Sequence, residues 1–272
     1  MARKSDPELK EKEIIERTAP PGDVIYQAIY DEGEHELSRN STSLALSGLA
    51  AGLSMGFSLL SEALLRTHLP NERWTILLSK LGYSVGFVVV ILSRQQLFTK
   101  NTLTVILPLL REKRLSLLGN VVRLWALVLT ANLIGALIFA SLLAIPNLFE
   151  RDVQNSFSAI SLGSVQVDFI TLCLRGIVAG WLVALMVWLL PFAESARIWA
   201  IIMIAYLIAM AGLPHVIAGS VEAFYLVVTS KLAWIQCLSG FLLPTLIGNV
   251  IGGIALVAVG AHAEFGEDLP GS

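Results

Sequence analysis

A single histidine stands in a stretch of sequence that otherwise avoids polar side chains. His215 lies in MAGLPHVIAGS (210–220), where Pro214 precedes it and glycines flank it. Histidine takes up or releases a proton near neutral pH, and the free N–H groups at the start of a helix attract anions. An ionisable side chain at membrane depth costs roughly 2.5–3.5 kcal/mol on insertion scales. The stretch therefore indicates a site where a small anion and a proton meet; the alternative is a buried packing histidine.

A second interruption of an apolar run carries the other candidate residues. SRQQLFTKNT (93–102) contains Arg94, Thr99 and Asn101 between two apolar pieces. Non-helical backbone is tolerated at membrane depth only where protein or a polar cavity surrounds it, and paired broken helices are typical of translocation sites. We expect Thr99 and Asn101 to line a pore. Arg94 is expected either to attract anions or to anchor its loop through backbone carbonyls.

These residues must be positioned by membrane-spanning helices. The chain of 272 residues is 55% hydrophobic and 15% charged, with a mean hydropathy of +0.72, which is more apolar side chain than a soluble domain of this length could cover. Crossing a bilayer takes roughly 20 apolar residues in a helix. The sequence predicts an all-α membrane protein with six crossings, of which the second and fifth are broken. The predicted spans cover residues 44–65, 76–92, 121–145, 170–192, 198–212 and 235–262, with short apolar pieces at 102–110 and 216–230.

The spans form an internal repeat. Two glycines of the first span recur in the fourth at an offset of 128 residues, and ANLIGA (131–136) in the third recurs as GNVIGG (248–253) in the sixth. Adding the second offset, 117, to Thr99 gives position 216, next to His215. One such small-residue run indicates only close helix packing, but runs in register indicate duplication, so we predict two inverted three-helix repeats. The residues that carry the repeat are Gly48, Gly52, Gly176, Gly180, Asn132, Asn249, Gly248 and Gly252.

Basic residues set the expected orientation and the domain limits. Lys and Arg concentrate before the first span and in the second loop (111–114), and basic residues in short loops stay on the cytoplasmic side. Both termini are therefore expected in the cytoplasm, with the protein in the inner or plasma membrane. Residues 1–40 are expected to form a cytoplasmic segment with an amphipathic helix on the bilayer surface, or else a solvated tail. Residues 41–264 form the predicted six-helix channel domain, and 265–272 a short cytoplasmic tail.

Several other functions are disfavoured by the residues. GLSMG (52–56) matches a serine nucleophile pattern, but it lies in a long apolar helix without the strand-turn-helix elbow that this chemistry needs. The four histidines are too scattered for a metal site, and no nucleotide fingerprint is present. No basic patch with interleaved aromatic residues indicates nucleic acid, and Cys173 and Cys237 are expected to be packing residues. The chain is therefore predicted to be no enzyme and to need no metal or cofactor.

Several motifs after residue 40 together carry a resemblance to a known family. They are LFTKN (97–101), RLWALVLTANLIG (123–135), LRGIVAGWLVALMVW (174–188), PTLIGNVIGG (244–253) and the central histidine. On these motifs the chain resembles the formate/nitrite transporter family. The resemblance implies an aquaporin-like fold and a homopentamer with one pore per subunit, which passes small monovalent anions such as formate, nitrite and hydrosulfide. It also implies a hydrogen bond between Thr99 and His215, and apolar constrictions at Phe87, Leu97 and Ile208.

The chain departs from the family's usual pattern at five positions. It has Arg94 and Gln96 where the family has Gly and Glu, Gly180 and Gly219 where the family has Asn, and Ser164 where the family has Lys. These changes resemble the YfdC-like branch of the family. Losing the lysine and one pore asparagine weakens the vestibule that attracts anions, and Arg94 is a candidate to replace the lysine.

We expect a channel or transporter that passes the small anion of a weak acid, either passively or together with a proton. Apolar constrictions disfavour a bare charge, whereas the helix dipoles and Thr99 concentrate the anion near His215, where a protonated imidazole pairs with it or hands over its proton. The expected partners are the anion, the proton and the lipid bilayer. The alternatives are a pore for neutral small solutes and a pore-dead structural or sensory pentamer. Glu222, on the same helical face as His215, is expected to pair with an arginine at a helix or subunit contact.

Overall fold

A computed structural model describes residues 20–255 and 259–265, and every regular element in this part of the chain is helical. The predicted basic segment before residue 20, residues 256–258 of the last predicted span and the tail after residue 265 lie outside the described residues. The helices are α1 Gly22–Ser38, α2 Ser41–His68, α3 Arg73–Leu92, α4 Phe98–Thr104, α5 Ile106–Glu112, α6 Leu115–Leu143, α7 Arg151–Val165, α8 Phe169–Leu189, α9 Arg197–Met210, α10 Val216–Val228, α11 Gln236–Gly253 and α12 Val259–Phe265.

Five of these helices, α2, α3, α6, α8 and α11, are long and apolar enough to cross a membrane, as far as the described residues show. The predicted fifth crossing is divided between α9, with 14 residues, and α10, with 13. Large apolar side chains also face outward, and Ile170 and Trp199 are each 69% exposed. Such surface suits lipid or a neighbouring subunit and would be unfavourable in water.

The longest helices pack as two close pairs, α2 with α6 and α8 with α11. Small residues allow this approach, because a Cβ at Gly52 would overlap the backbone of Asn132, and a Cβ at Gly180 would overlap the backbone of Asn249. In both pairs an asparagine of the second helix therefore lies directly against a glycine of the first. Two further glycines of α11 that lie against the α8 backbone are Gly248 and Gly252.

The helix predicted before the first span is α1, and its apolar face packs against protein. Ile29 and Leu37 are buried, and Ile25 is partly buried against the same core. The face rests on α4 and α5, where the Tyr30 hydroxyl donates to the Glu112 carboxylate at 3.2 Å. Residues 22–38 therefore form neither a solvated tail nor a helix whose apolar side contacts lipid alone.

A helix that the sequence analysis missed, α7, lies between the third and fourth predicted spans. Its 15 residues bury Val153, Phe157 and Ile160 against α2 and α10. The segment SFSAISLGSV (156–165) mixes serine with single apolar residues, so it contains no apolar run of spanning length. It precedes α8 as α1 precedes α2, and it brings Ser164 to the polar cavity described below.

Candidate functional site

Two breaks in the helices lie opposite each other in the fold. The first separates α3 from α4, and the second separates α9 from α10. Leu97 is the N-cap residue of α4, and His215 is the N-cap residue of α10. Each break contains one residue with a left-handed backbone, Arg94 (φ 55°) in the first and Gly212 (φ 59°) in the second. The family's usual glycine at position 94 suits this conformation, whereas an arginine there is strained.

Two buried asparagines hold the breaks in the same way. The Asn132 side chain accepts from the Phe98 N–H (2.9 Å) and donates to the Gln96 carbonyl (2.9 Å). The Asn249 side chain accepts from the Val216 N–H (2.8 Å) and donates to the Pro214 carbonyl (3.0 Å). Each asparagine Nδ2 also donates a second hydrogen bond, from Asn132 to the Gly48 carbonyl and from Asn249 to the Gly176 carbonyl. Each asparagine therefore satisfies the backbone groups that a broken helix leaves without partners.

These contacts correct the register that the sequence predicted for the breaks. Position 96 corresponds to 214 and position 98 to 216, an offset of 118 residues, whereas the two asparagines themselves are 117 apart. The counterpart of His215 is therefore Leu97, and Thr99 corresponds to Ile217. The one-residue difference arises between the breaks and the helices that carry the asparagines.

The structure brings Thr99 and His215 together at the centre of the fold. Thr99 Oγ1 lies 2.7 Å from His215 Nε2, and each residue is only 1% exposed. His215 Nδ1 accepts a hydrogen bond from the Ala218 N–H at 3.2 Å, which caps α10. A nitrogen that accepts carries no hydrogen, so this network assigns the proton of the neutral ring to Nε2. Nε2 then donates to Thr99, and the threonine hydroxyl hydrogen is left to bind a further acceptor.

Apolar side chains surround this pair. Phe87 and Ile208 are fully buried, and Leu97 is 1% exposed. The Phe87 ring lies edge-on to the imidazole of His215, with centroids 4.9 Å apart. Ile208 and His215 line the same cavity. The three residues that match the family's constrictions thus lie within the buried region around the breaks.

Asn101 has a different environment from the one a pore-lining residue needs. It is fully buried, and its Nδ2 donates to the Gln96 side chain at 2.9 Å. Its Oδ1 accepts from the Thr104 hydroxyl at 3.3 Å. In this arrangement the side chain braces the first break from within.

One cavity, which we call the His215 cavity, has a volume of about 290 Å³. Its polar lining combines His215 and Ser164 with three basic and two acidic side chains, so basic residues are in excess. Glu62 and Lys80 form an ion pair there at 2.6 Å. The charged residues that line it are Arg66, Lys80, Arg175, Glu62 and Glu222.

A second cavity, the Arg94 cavity, has a volume of about 450 Å³ and shares no lining residue with the His215 cavity. Four basic and two acidic side chains line it, together with His35. The neighbour of Thr99, Lys100, lies there and pairs with Glu32 of α1 at 2.5 Å. The charged residues are Arg39, Arg94, Lys100, Arg197, Glu32 and Glu36.

Arg94 and the position of the missing family lysine line different cavities. Ser164 lines the His215 cavity, whereas the exposed Arg94 lines the Arg94 cavity. Arg94 therefore does not occupy the place of that lysine. Within the described residues its guanidinium also makes no hydrogen bond that would anchor the loop. Lys80 and two arginines supply the positive charge near Ser164 instead.

Packing explains two of the departures from the family pattern. A side chain at Gly219 would overlap the ring of Phe241, and one at Gly180 would overlap the backbone of Asn249. The space of one family asparagine is thus taken by a phenylalanine ring, and the space of the other by a closely packed helix. Both glycines are therefore required by the packing of this chain's core.

Sequence reasoning missed the Glu62–Lys80 ion pair. Glu62 is an acid within the first predicted span, an unusual position that could have marked it. Glu222 is buried beside Ser164, and no arginine among the described residues pairs with it, so pairing with an arginine of a neighbouring subunit stays a prediction. The cysteines Cys173 and Cys237 are free thiols, as expected of packing residues.

Comparison with known proteins places this geometry in context. The family model described as "Formate/nitrite transporter" matches residues 23–263. "Inner membrane protein YfdC" of Escherichia coli is 38% identical over 245 residues, which cover 90% of this chain and 79% of that protein. "Uncharacterized transporter YrhG" of Bacillus subtilis is 29% identical over 247 residues, covering 87% of this chain and 90% of that protein.

Solved structures share the fold at lower identity. "Pentameric formate channel with formate bound" has a TM-score of 0.71 at 21% identity and covers 83% of this chain and 97% of that one. A second structure, "FNT family ion channel", has a TM-score of 0.78 at 18% identity, covering 88% of this chain and 98% of that one.

Proposed function

This chain belongs to the formate/nitrite transporter family, and we propose that it passes small monovalent anions of weak acids across the membrane, passively or together with a proton. One observation carries the proposal. The buried Thr99–His215 pair adjoins two cavities, and in each cavity basic side chains outnumber acidic ones. His215 lines one cavity, and Lys100, next to Thr99, lines the other.

The cavities and the apolar region have opposite effects on an anion. An excess of basic side chains raises the local concentration of anions, most strongly at low ionic strength. The buried apolar side chains of Phe87, Leu97 and Ile208 then disfavour a bare charge. A small anion that loses its water there needs a donor, which the free hydroxyl hydrogen of Thr99 supplies.

His215 is the proposed proton-handling group. In the arrangement described above its ring is neutral, and a proton added at Nδ1 would remove the hydrogen bond that caps α10. An anion at the Thr99 hydroxyl favours the imidazolium electrostatically and so offsets the lost cap. The Nε2 proton then passes to the Thr99 oxygen while the threonine hydroxyl proton passes to the anion, which continues as the neutral acid. Water-mediated transfer of the remaining Nδ1 proton to Nε2 restores the contact of Nδ1 with Ala218.

We also propose the membrane arrangement that this function needs. Six crossings form two inverted three-helix repeats with an aquaporin-like plan, and five copies of the 41–264 domain assemble with one pore each. The 118-residue offset between corresponding positions of the two breaks supports the repeat, and the basic segments support cytoplasmic placement of residues 1–40 and 265–272. Reporter fusions after residues 40 and 262 are expected to report cytoplasm, and a periplasmic terminus would contradict this map.

Uptake into proteoliposomes tests the proposed function. We expect wild-type protein to take up formate at rates that depend on external pH between about 5 and 8, the range in which histidine titrates. His215→Asn retains a capping oxygen but cannot titrate, so its flux should lose this pH dependence. Thr99→Val removes a donor and should lower the flux at every pH. A His215→Asn protein with the wild-type pH profile would show that the histidine only packs.

A further inference from the structure

A second titratable side chain, Glu222, shares the cavity with His215. It lies seven residues further along α10 and is 5% exposed. At 1.5 Å per residue, the two positions are separated by about 10 Å along the helix axis, on the same face. The proposed function gives this carboxyl group no role, although burial of a charge is costly unless a partner compensates it.

Among the described residues, no basic side chain forms an ion pair with the Glu222 carboxyl group. Its carboxyl group lies near the Ser164 hydroxyl of α7, which donates to the Ile160 carbonyl at 3.5 Å. Lys80 is bonded to the other acid, Glu62, at 2.6 Å, so the nearest ammonium is already paired. The Tyr83 hydroxyl lies close to both carboxyl groups. The remaining charged groups that face the cavity from neighbouring helices are Arg66 of α2 and Arg175 of α8.

Two nearby carboxyl groups make the charge of Glu222 sensitive to what enters the cavity. An incoming anion adds a third negative charge beside Glu62 and Glu222 in a partly buried site. Like charges at short range favour uptake of a proton by one of the acids. Because Glu62 is held by Lys80, Glu222 is the acid that is free to take it.

The cavity also provides a route from Glu222 to His215. Gly219 lies between them on the same helical face under the ring of Phe241, and both of these residues line the cavity, so the water route runs beside that ring. A cavity of about 290 Å³ holds several waters, since one water needs only about 10–15 Å³ of accessible volume. A chain of two or three waters spans about 10 Å and conducts protons through its hydrogen bonds.

We propose that Glu222 is a proton-relay residue, which passes protons from the solution in the His215 cavity to the imidazole of His215. The O–H bond of the Glu222 carboxyl breaks, water carries the proton to Nδ1, and the carboxylate is reprotonated from solution. The proton then leaves His215 with the anion, so one proton and one anion cross together. This relay rests on the proposed function, since it supplies the proton that His215 hands over.

The test compares pH profiles of formate uptake in two backgrounds. In the wild-type background, Glu222→Gln should lower the uptake rate at pH 7–8 by roughly tenfold or more, because free protons are scarce there, and by less at pH 5. In the His215→Asn background the same change should leave the pH profile unaltered, because the relay ends at His215. Glu150→Gln, an exposed acid outside the cavity, is the matched control and should behave as wild type.

Three results separate the possibilities. An unchanged profile for Glu222→Gln, or an equal loss of flux at every pH in both backgrounds, overturns the relay and leaves the proposed function standing. A wild-type protein that passes no small anion overturns the proposed function itself. If the glutamine variant does not assemble, Glu222→Asp decides, because its shorter carboxyl group still titrates but must pass the proton over a longer distance. The relay then predicts uptake that is slower than wild type at pH 7–8 and closer to wild type at pH 5, and a wild-type pH profile contradicts it.

Discussion

Removing the asparagine that holds the second break should destabilise the protein by a predictable amount. Asn249→Ala leaves the Val216 N–H and the Pro214 carbonyl without their partners. The Gly176 carbonyl also loses a contact, but as a residue within α8 it keeps the helical hydrogen bond. Each unsatisfied buried group costs about 1–3 kcal/mol, so the two together cost roughly 2–6 kcal/mol. For a chain of this size that corresponds to a fall in Tm of roughly 5–20 °C.

The assay is thermal unfolding of the purified protein in detergent, and it compares Asn249→Ala with the corresponding substitution at the first break. Asn132→Ala leaves the Phe98 N–H and the Gln96 carbonyl unpaired, so it should lose a similar amount. Asn155→Ala removes an exposed asparagine of α7 and should change the free energy of unfolding by no more than about 0.5 kcal/mol. If Asn132→Ala and Asn249→Ala both unfold at the same temperature as Asn155→Ala, the claim that these side chains hold the breaks is refuted.

Three further predictions concern single contacts. Gly219→Asn, which restores the family residue, should cost about 1–3 kcal/mol through overlap with Phe241, and Phe241→Ala should rescue part of the loss in thermal unfolding. Arg94→Gly relieves a left-handed backbone, so it should raise stability by about 1 kcal/mol while slowing uptake from the Arg94 cavity; a lower Tm would contradict this. Burial and the nearby carboxylates of Glu34 and Glu112 raise the pKa of Tyr30 from its usual 10.0 to about 12, so its contribution to docking of α1 should be complete below pH 10 and be lost as pH rises through about 12. Absorbance titration of phenolate, compared between wild type and Tyr30→Phe, measures this, and ionisation near pH 10 would contradict it.

Residues that are exceptional in an apolar context could be found from the sequence. His215 and Thr99 stand in interruptions of apolar runs, and Asn132 and Asn249 recur within matching small-residue motifs. Polar groups are so costly at membrane depth that each of these positions implies a specific partner. Those partners are backbone groups and side chains of the breaks themselves, which explains why the pattern pointed to the correct region.

Features that depend on how helices meet could not be found in this way. Glu62 and Lys80 are separated by 18 positions and lie on different helices, so their pairing follows only from the packing of α2 against α3. The side of the breaks on which Arg94 lies is set by a turn that lacks the usual glycine. The helix α7 was missed because serine-rich amphipathic segments of 15 residues resemble loops when only spanning length is sought.

The central claim is that small weak-acid anions, and not neutral solutes, cross at the Thr99–His215 pair. Liposomes containing wild-type protein should be compared with protein-free liposomes for formate uptake and for swelling in glycerol. The account predicts formate uptake at least about tenfold above the protein-free rate, with most of the increase absent from Thr99→Val, and glycerol swelling at the protein-free rate. Glycerol entry without formate uptake would contradict the account and establish a pore for neutral solutes.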